Sequence, residues 1–189
     1  LNYYKRFLKI KEEIGDKNGI ALATTVLGHY YLLIGNYDQA LVELKRSLKL
    51  YKQIEMTIHL KRAYLDIGWV YYSMGEYQKA LEYYNYEMDL ATKLNNISSL
   101  SNIFVNIGLV HFQQRDYKQA LENIEQSANM TLKDELETMA YLLLTKKILG
   151  KEYNVAEIHT LIKEQEEIKD YINFALFELL EDISYLETA

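Results

Sequence analysis

Apolar residues recur along this chain at intervals of three and four, the spacing that gathers side chains on one face of an α-helix. Tyr4, Phe7, Leu8, Lys11 and Ile14 line one such face beside Lys5, Arg6 and Lys9, which predicts a helix over residues 1–14. The breaker Gly15-Asp16-Lys17-Asn18-Gly19 ends it. Ala21, Thr24, Leu27, Gly28 and Tyr31 mark the next helix, over 20–34, and Ala40, Leu41, Leu44 and Leu48 the one after, over 37–53. Between these two, Gly35-Asn36 reads as a stop and restart, because glycine accepts the left-handed conformation that closes a helix. Tyr64, Ile67, Gly68 and Tyr71, then Ala80, Leu81, Tyr84 and Met88, repeat the scheme. Phe104, Ile107, Gly108 and His111, then Ala120, Leu121 and Ile124, repeat it again.

The repetition is strict. Gly28, Gly68 and Gly108 each stand nine residues before a tyrosine, Tyr37, Tyr77 or Tyr117, and each tyrosine is followed by Ala-Leu at 40–41, 80–81 and 120–121. The interval is 40 residues both times, the signature of a stacked repeat protein. Small residues are expected where two helices about 8–10 Å apart come closest, which makes Gly28 and Ala40 the expected contact pair of one repeat. In the third copy Arg115 stands where Gly35 and Gly75 stand, and should make that turn costlier. Tyr153 and Ala156 keep the Tyr-then-Ala spacing of a fourth, degenerate copy with helices at 134–149 and 153–168, in which Leu144 takes the glycine's place.

The pattern Tyr64…Ile67-Gly68…Tyr71…Ala80…Tyr84 resembles the tetratricopeptide repeat, a helix-turn-helix unit of usually about 34 residues. The longer interval resembles the subclass found in bacterial signalling and peptide-sensing proteins and in kinesin light chains. In that subclass a short Gly-Asp or Asn segment often links repeats, and Ile14-Gly15-Asp16-Lys17 and Leu94-Asn95-Asn96 stand where it would. The resemblance implies an all-α fold, a right-handed superhelical solenoid whose first helices line a concave groove. The expected organisation is an array over 1–168, comprising the second helix of a truncated repeat (1–14), full repeats at 20–54, 60–94 and 98–132, and the degenerate repeat at 134–168. A capping or connecting helix follows at 170–189. Projected backwards, the period places Leu1 in the second helix of a repeat, so the chain reads as beginning inside a longer protein.

Composition narrows the function classes. Hydrophobic residues make up 49% and charged residues 25%, as in globular proteins. Proline is absent, which fits helices joined by very short connections, and the absence of cysteine removes disulfides, thiolate metal sites and cysteine nucleophiles. A net charge of −6 argues against direct nucleic-acid binding, and no apolar run approaches the ~20 residues that span a bilayer. The expected setting is cytoplasmic. His29, His59, His111 and His159 form no pair at metal-binding helical spacing, and the run Glu164, Glu166, Glu167 and Asp170 reads as a solvated face. The chain is therefore read as a non-enzyme without metal or cofactor.

The candidate site is the face of each first helix that the packing stripe leaves free. In repeat one this gives Thr25 and His29, and in repeat two Arg62, Asp66, Trp69 and Tyr72. Repeat three gives Asn102, Asn106 and Leu109, and repeat four Tyr141. Trp69, the only tryptophan, is either a partner anchor or a spacer packed between first helices. In the long-repeat relatives an Asn just before the Ile/Leu-Gly pair grips the backbone of an extended peptide. Asn106-Ile107-Gly108 matches, Asp66-Ile67-Gly68 matches in part, and Val26-Leu27-Gly28 does not. The basic clamp that other members use for a carboxylate tail is absent. Ile172, Leu176, Leu179, Ile183 and Leu186 follow a heptad seam, beside a second apolar face of Phe174, Phe177 and Leu180. That helix is either a cap or a dimerising or domain-connecting element. The expected function is a protein- or peptide-binding scaffold, the sensory or docking domain of a larger bacterial regulator. The alternative is an oligomerisation module, a homodimer through the C-terminal helix.

Overall fold

The computed structural model describes residues 1–130, 136–154, 156, 158, 159, 162 and 170–180, and of 170, 171, 173 and 174 the backbone alone. Among them are nine helices: α1 Asn2–Glu13, α2 Lys17–Leu33, α3 Tyr37–Gln53, α4 Thr57–Ser73, α5 Tyr77–Lys93, α6 Ile97–Gln113, α7 Tyr117–Met130, α8 Leu136–Ile148 and α9 Asp170–Leu180. The pairs α2–α3, α4–α5 and α6–α7 lie over the spans of the first three expected pairs, and α8 over the first helix of the fourth. Most of the expected helix at 153–168 lies outside the described residues.

Each connection has the same economical chemistry. Asn36 N–H donates to Tyr31 O and Gly35 N–H to Leu32 O, the paired bonds that close a helix around one left-handed residue. Gly15, Gly75 and Gly150 fill that left-handed slot elsewhere, and so do Glu55 (φ 56°), Asn95 (φ 50°) and Arg115 (φ 62°). Before α2, α3, α6 and α7 an Asp or Asn also caps the next helix, whereas Met56 and Glu76 make no side-chain cap before α4 and α5. Asp16 accepts from Gly19 N–H at 2.8 Å, Asn96 from Ser99 N–H at 2.9 Å, and Asn36 and Asp116 cap likewise. Hence α2 begins at 17, three residues before the expected 20, and α4 begins at 57, also three residues early, behind Met56, whose side chain makes no cap.

The chain forms two compact units, Leu1–Asn95 and Asn96–Ala189. In the first, α1 to α5 pack each on the next, and α2 also touches α4. In the second, α6 packs on α7, α7 on α8 and α8 on α9, with α6 touching α8.

The glycines mark the closest approach inside each pair, but the partner differs from the expected one. A Cβ on Gly28 would lie 2.6 Å from Leu44 Cγ, one on Gly68 2.5 Å from Tyr84 Cε1, and one on Gly108 2.6 Å from Ile124 Cγ1. The opposed residue is thus the large side chain one turn beyond Ala40, Ala80 or Ala120. The alanines are themselves fully buried.

The heptad seam also resolves differently from a free face. Ile172, Leu176 and Leu179 are buried inside the chain, where α9 packs on α8. The burial of these three within the chain already removes that part of the stripe from water. Lys147 fixes the contact by donating to the carbonyl of Glu178 at 2.8 Å. Ile183 and Leu186 lie outside the described residues, as does the acidic run at 164–167. Among the described residues no helix is long and apolar enough to cross a membrane.

Candidate functional site

In the first unit the predicted residues come together on α2 and α4. The side chain of Asp66 is only 7% exposed and lies between two partners. Nε2 of His29 is 2.7 Å from Oδ2, and Arg62 Nε donates to Oδ1 at 2.9 Å. A buried carboxylate is tolerated when its oxygens are bonded to cationic or polar donors. Asp66 is therefore not a free acceptor, as its place before Ile67-Gly68 suggested. It fixes His29, one helix away, and Arg62, one turn back on its own helix. Arg62 itself stays 65% exposed, so its guanidinium edge is presented rather than consumed.

One turn further on, Trp69 is half-buried and stacks on Tyr72, ring centroids 5.3 Å apart at 25°. Tyr72 in turn meets Tyr77 at 6.1 Å. Arg62, Asp66, Trp69 and Tyr72 thus run along α4 as a charged end and an aromatic end. Thr25 on α2 is occupied locally. Its hydroxyl donates to Ala21 O at 2.9 Å and lies 3.3 Å from Tyr51 Oη.

The second unit carries a different surface. Asn102 is exposed and Asn106 half-buried, and neither amide has a hydrogen-bond partner among the described residues. Leu109 and Tyr141 are buried, 3% and 8% exposed, and present no surface. Tyr141 packs edge-on against Phe112 at 5.4 Å, within the α6–α8 contact. Phe177, from the second apolar face of α9, lines a cleft of about 440 Å³ with Leu144, Lys147 and Ile148.

Sequence reasoning missed two groupings. Tyr64, Tyr71, Tyr83 and Tyr86 cluster between α4 and α5. Lys45 donates to Tyr71 Oη at 2.7 Å, and Lys52 lies 5.3 Å over the Tyr64 ring. Burial raises the Tyr83 phenol above its usual range. The second grouping is Tyr84 and Glu87, both buried inside the α4–α5 pair. Aligning the copies at 40-residue intervals exposes it, since Glu87 falls where the flanking repeats have Ser47 and Ser127.

Residues 25–54 and 61–85 match a family model, and they cover much of repeats one and two. That match is to the tetratricopeptide repeat. Three solved structures share the fold of the chain. BtubC from P. vanneervenii is 15% identical, over 85% of this chain and 68% of that one, with a TM-score of 0.71. The apo form of RapI is 15% identical, over 100% of this chain and 81% of that one, at 0.75. A signal transduction ATPase with numerous domains and a tetratricopeptide repeat sensor, from Pyrococcus horikoshii, is 21% identical over 98% of this chain and 30% of that one, at 0.76. At these identities the likeness is one of fold, an all-α solenoid. No curated protein matches the chain.

Proposed function

We propose that the chain is a protein-binding scaffold, the sensory or docking module of a larger bacterial regulator in the cytoplasm, which receives an extended segment of its partner along the first-helix faces. The observation that carries this reading is the α4 row, where Asp66 holds Arg62 in place beside the stacked Trp69–Tyr72 pair. A tethered guanidinium loses less side-chain entropy on binding than a free one, and tryptophan, tyrosine and arginine dominate binding hot spots. The amides of Asn102 and Asn106, unbonded among the described residues, offer donors and acceptors suited to a peptide main chain. The tetratricopeptide repeat sensor of the Pyrococcus signal transduction ATPase supports the assignment to a regulator.

The reading is tested by a peptide array probed with the wild-type chain and with Trp69→Ala, Arg62→Ala and Asn106→Ala. Retained segments should lose about 30-fold in affinity with Trp69→Ala, the size of a hot-spot truncation, while the circular dichroism stays unchanged. An array without binders, or binders indifferent to all three substitutions, rejects it.

A further inference from the structure

One buried slot changes its chemistry between repeats. Ser47 on α3, Glu87 on α5 and Ser127 on α7 stand 40 residues apart, and all three are buried. The serines are satisfied: Ser47 Oγ donates to Leu44 O at 2.8 Å, and the hydroxyls of Ser127 and Ser101 are 2.8 Å apart. Glu87 is 3% exposed, and its Oε2 has no hydrogen-bond partner among the described residues. One turn earlier on the same helix, the fully buried Tyr84 hydroxyl also lacks one. Its ring lies against Gly68, so the helices have no slack there. Among the described residues, α4 is the helix that packs broadly against α5. From α4, Lys61 and Arg62 act on Glu87 favourably and Asp66 unfavourably, with Tyr84 alongside on α5 itself. Asp66 is already held between Arg62 and His29 of α2.

We propose that Glu87 makes the second repeat a proton-responsive element: with its carboxyl protonated α5 seats closely on α4, and loss of that proton weakens the seating and loosens the α4 face that carries Arg62, Asp66 and Trp69. A carboxylate in this slot is stripped of water and keeps an unpaired oxygen, whereas the neutral acid carries no such charge cost. Burial first, and Asp66 in addition, push the Glu87 carboxyl up to about 8 from 4.5, against the pull of Lys61 and Arg62. Between those values the folded chain holds a proton that the unfolded chain has released. Its contribution to stability is therefore whole below 4.5 and is lost as the pH rises to about 8. Inside that window the unfolding constant rises by up to about tenfold per pH unit. That the loosened face is the binding face rests on the proposed function. The proton response itself does not.

Urea unfolding of the ligand-free chain at pH 5.5, 7 and 9 tests it, comparing wild type with Glu87→Gln. Charges elsewhere are common to both proteins, so their contributions cancel in the ratio of the two unfolding constants. That ratio should shift by more than tenfold from pH 5.5 to 9, with the Gln variant gaining at high pH. Parallel pH profiles overturn the proposal. Should Glu87→Gln fail to fold by circular dichroism, the carboxyl carbons of ¹³C-Glu wild type are titrated. A single glutamate titrating near pH 8 upholds it, and titration of every glutamate below pH 6 overturns it. Because no ligand is present, these outcomes leave the binding reading to its own experiment.

Discussion

The helix pairs α4–α5 and α6–α7 are built to one plan and filled with different chemistry. Gly68 and Gly108 make the same close approach, Ala80 and Ala120 are fully buried, and Tyr77 and Tyr117 open the second helix of each pair. Yet the glycine faces Tyr84 in one pair and Ile124 in the other. The internal polar slot holds Glu87 in one and the hydrogen-bonded Ser127 in the other. Before the glycine, Asp66 is tied to two partners while Asn106 has none among the described residues. The charge follows the same division. Residues 1–95 have 13 Lys and Arg against 11 Asp and Glu, net +2, and residues 96–189 have 8 against 16, net −8. The lesson is that helix spacing fixes only the small residues and the turn geometry. Everything else in the repeat is free to carry binding or regulatory chemistry.

The largest expected effect comes from attacking what the pairs share. Valine at Gly68 or Gly108 drives a branched side chain into Tyr84 or into Ile124 and the Ala120 carbonyl. Overpacking of this kind costs about 3 kcal/mol, which outweighs the better helix propensity of valine. Urea unfolding should show a loss of that size for both variants. If either keeps wild-type stability, close approach is not what the glycine provides.

A smaller effect separates the pairs. Tyr84→Phe keeps the ring against Gly68 and removes a buried hydroxyl that has no partner among the described residues. Relief of one unsatisfied group should gain about 1.5 kcal/mol, seen as a higher urea midpoint with an unchanged slope. Ile124 has no polar atom, so α6–α7 offers no such gain. A loss of stability in Tyr84→Phe would mean that the hydroxyl has a partner in solution, and would place a water or ligand inside the first unit.

Much of the fold was legible because it depends on local spacing. The period, the helix pairs and the strained turn at Arg115 all follow from which residues recur. The start of α2 lies three residues before the expected one, because Asp16 both closes α1 and caps α2, so Lys17-Asn18 reads as a breaker while it is a first turn. The glycine's partner was misjudged because equal spacing in sequence does not say which side chain lies across a helix crossing. Arg62, Trp69 and Tyr72 follow from the helix face they share. The tie between His29 and Asp66 does not, since it joins residues 37 positions apart on two helices. Leu109 and Tyr141 share the register of the site and are nonetheless buried, because neighbouring helices cover that part of the face.

The turns give the subtlest way to sharpen the comparison. Gly75 and Arg115 occupy the same left-handed slot, at φ 74° and 62°, and make the same closing bonds to Tyr72 O and Phe112 O. A side chain in that conformation costs roughly 1 kcal/mol relative to glycine. Arg115→Gly should therefore gain about 1 kcal/mol, less the small entropy that glycine adds to the unfolded chain, and Gly75→Arg should lose about as much. In the double exchange the two changes cancel if the turns are independent, as expected for sites far apart in sequence with no shared partner. Thermal unfolding of the four proteins measures this directly. A double variant well below wild type would show that the arginine does at 115 something it cannot do at 75. Nothing in its surroundings calls for that, since the Arg115 side chain is exposed and makes no hydrogen bond or ion pair among the described residues.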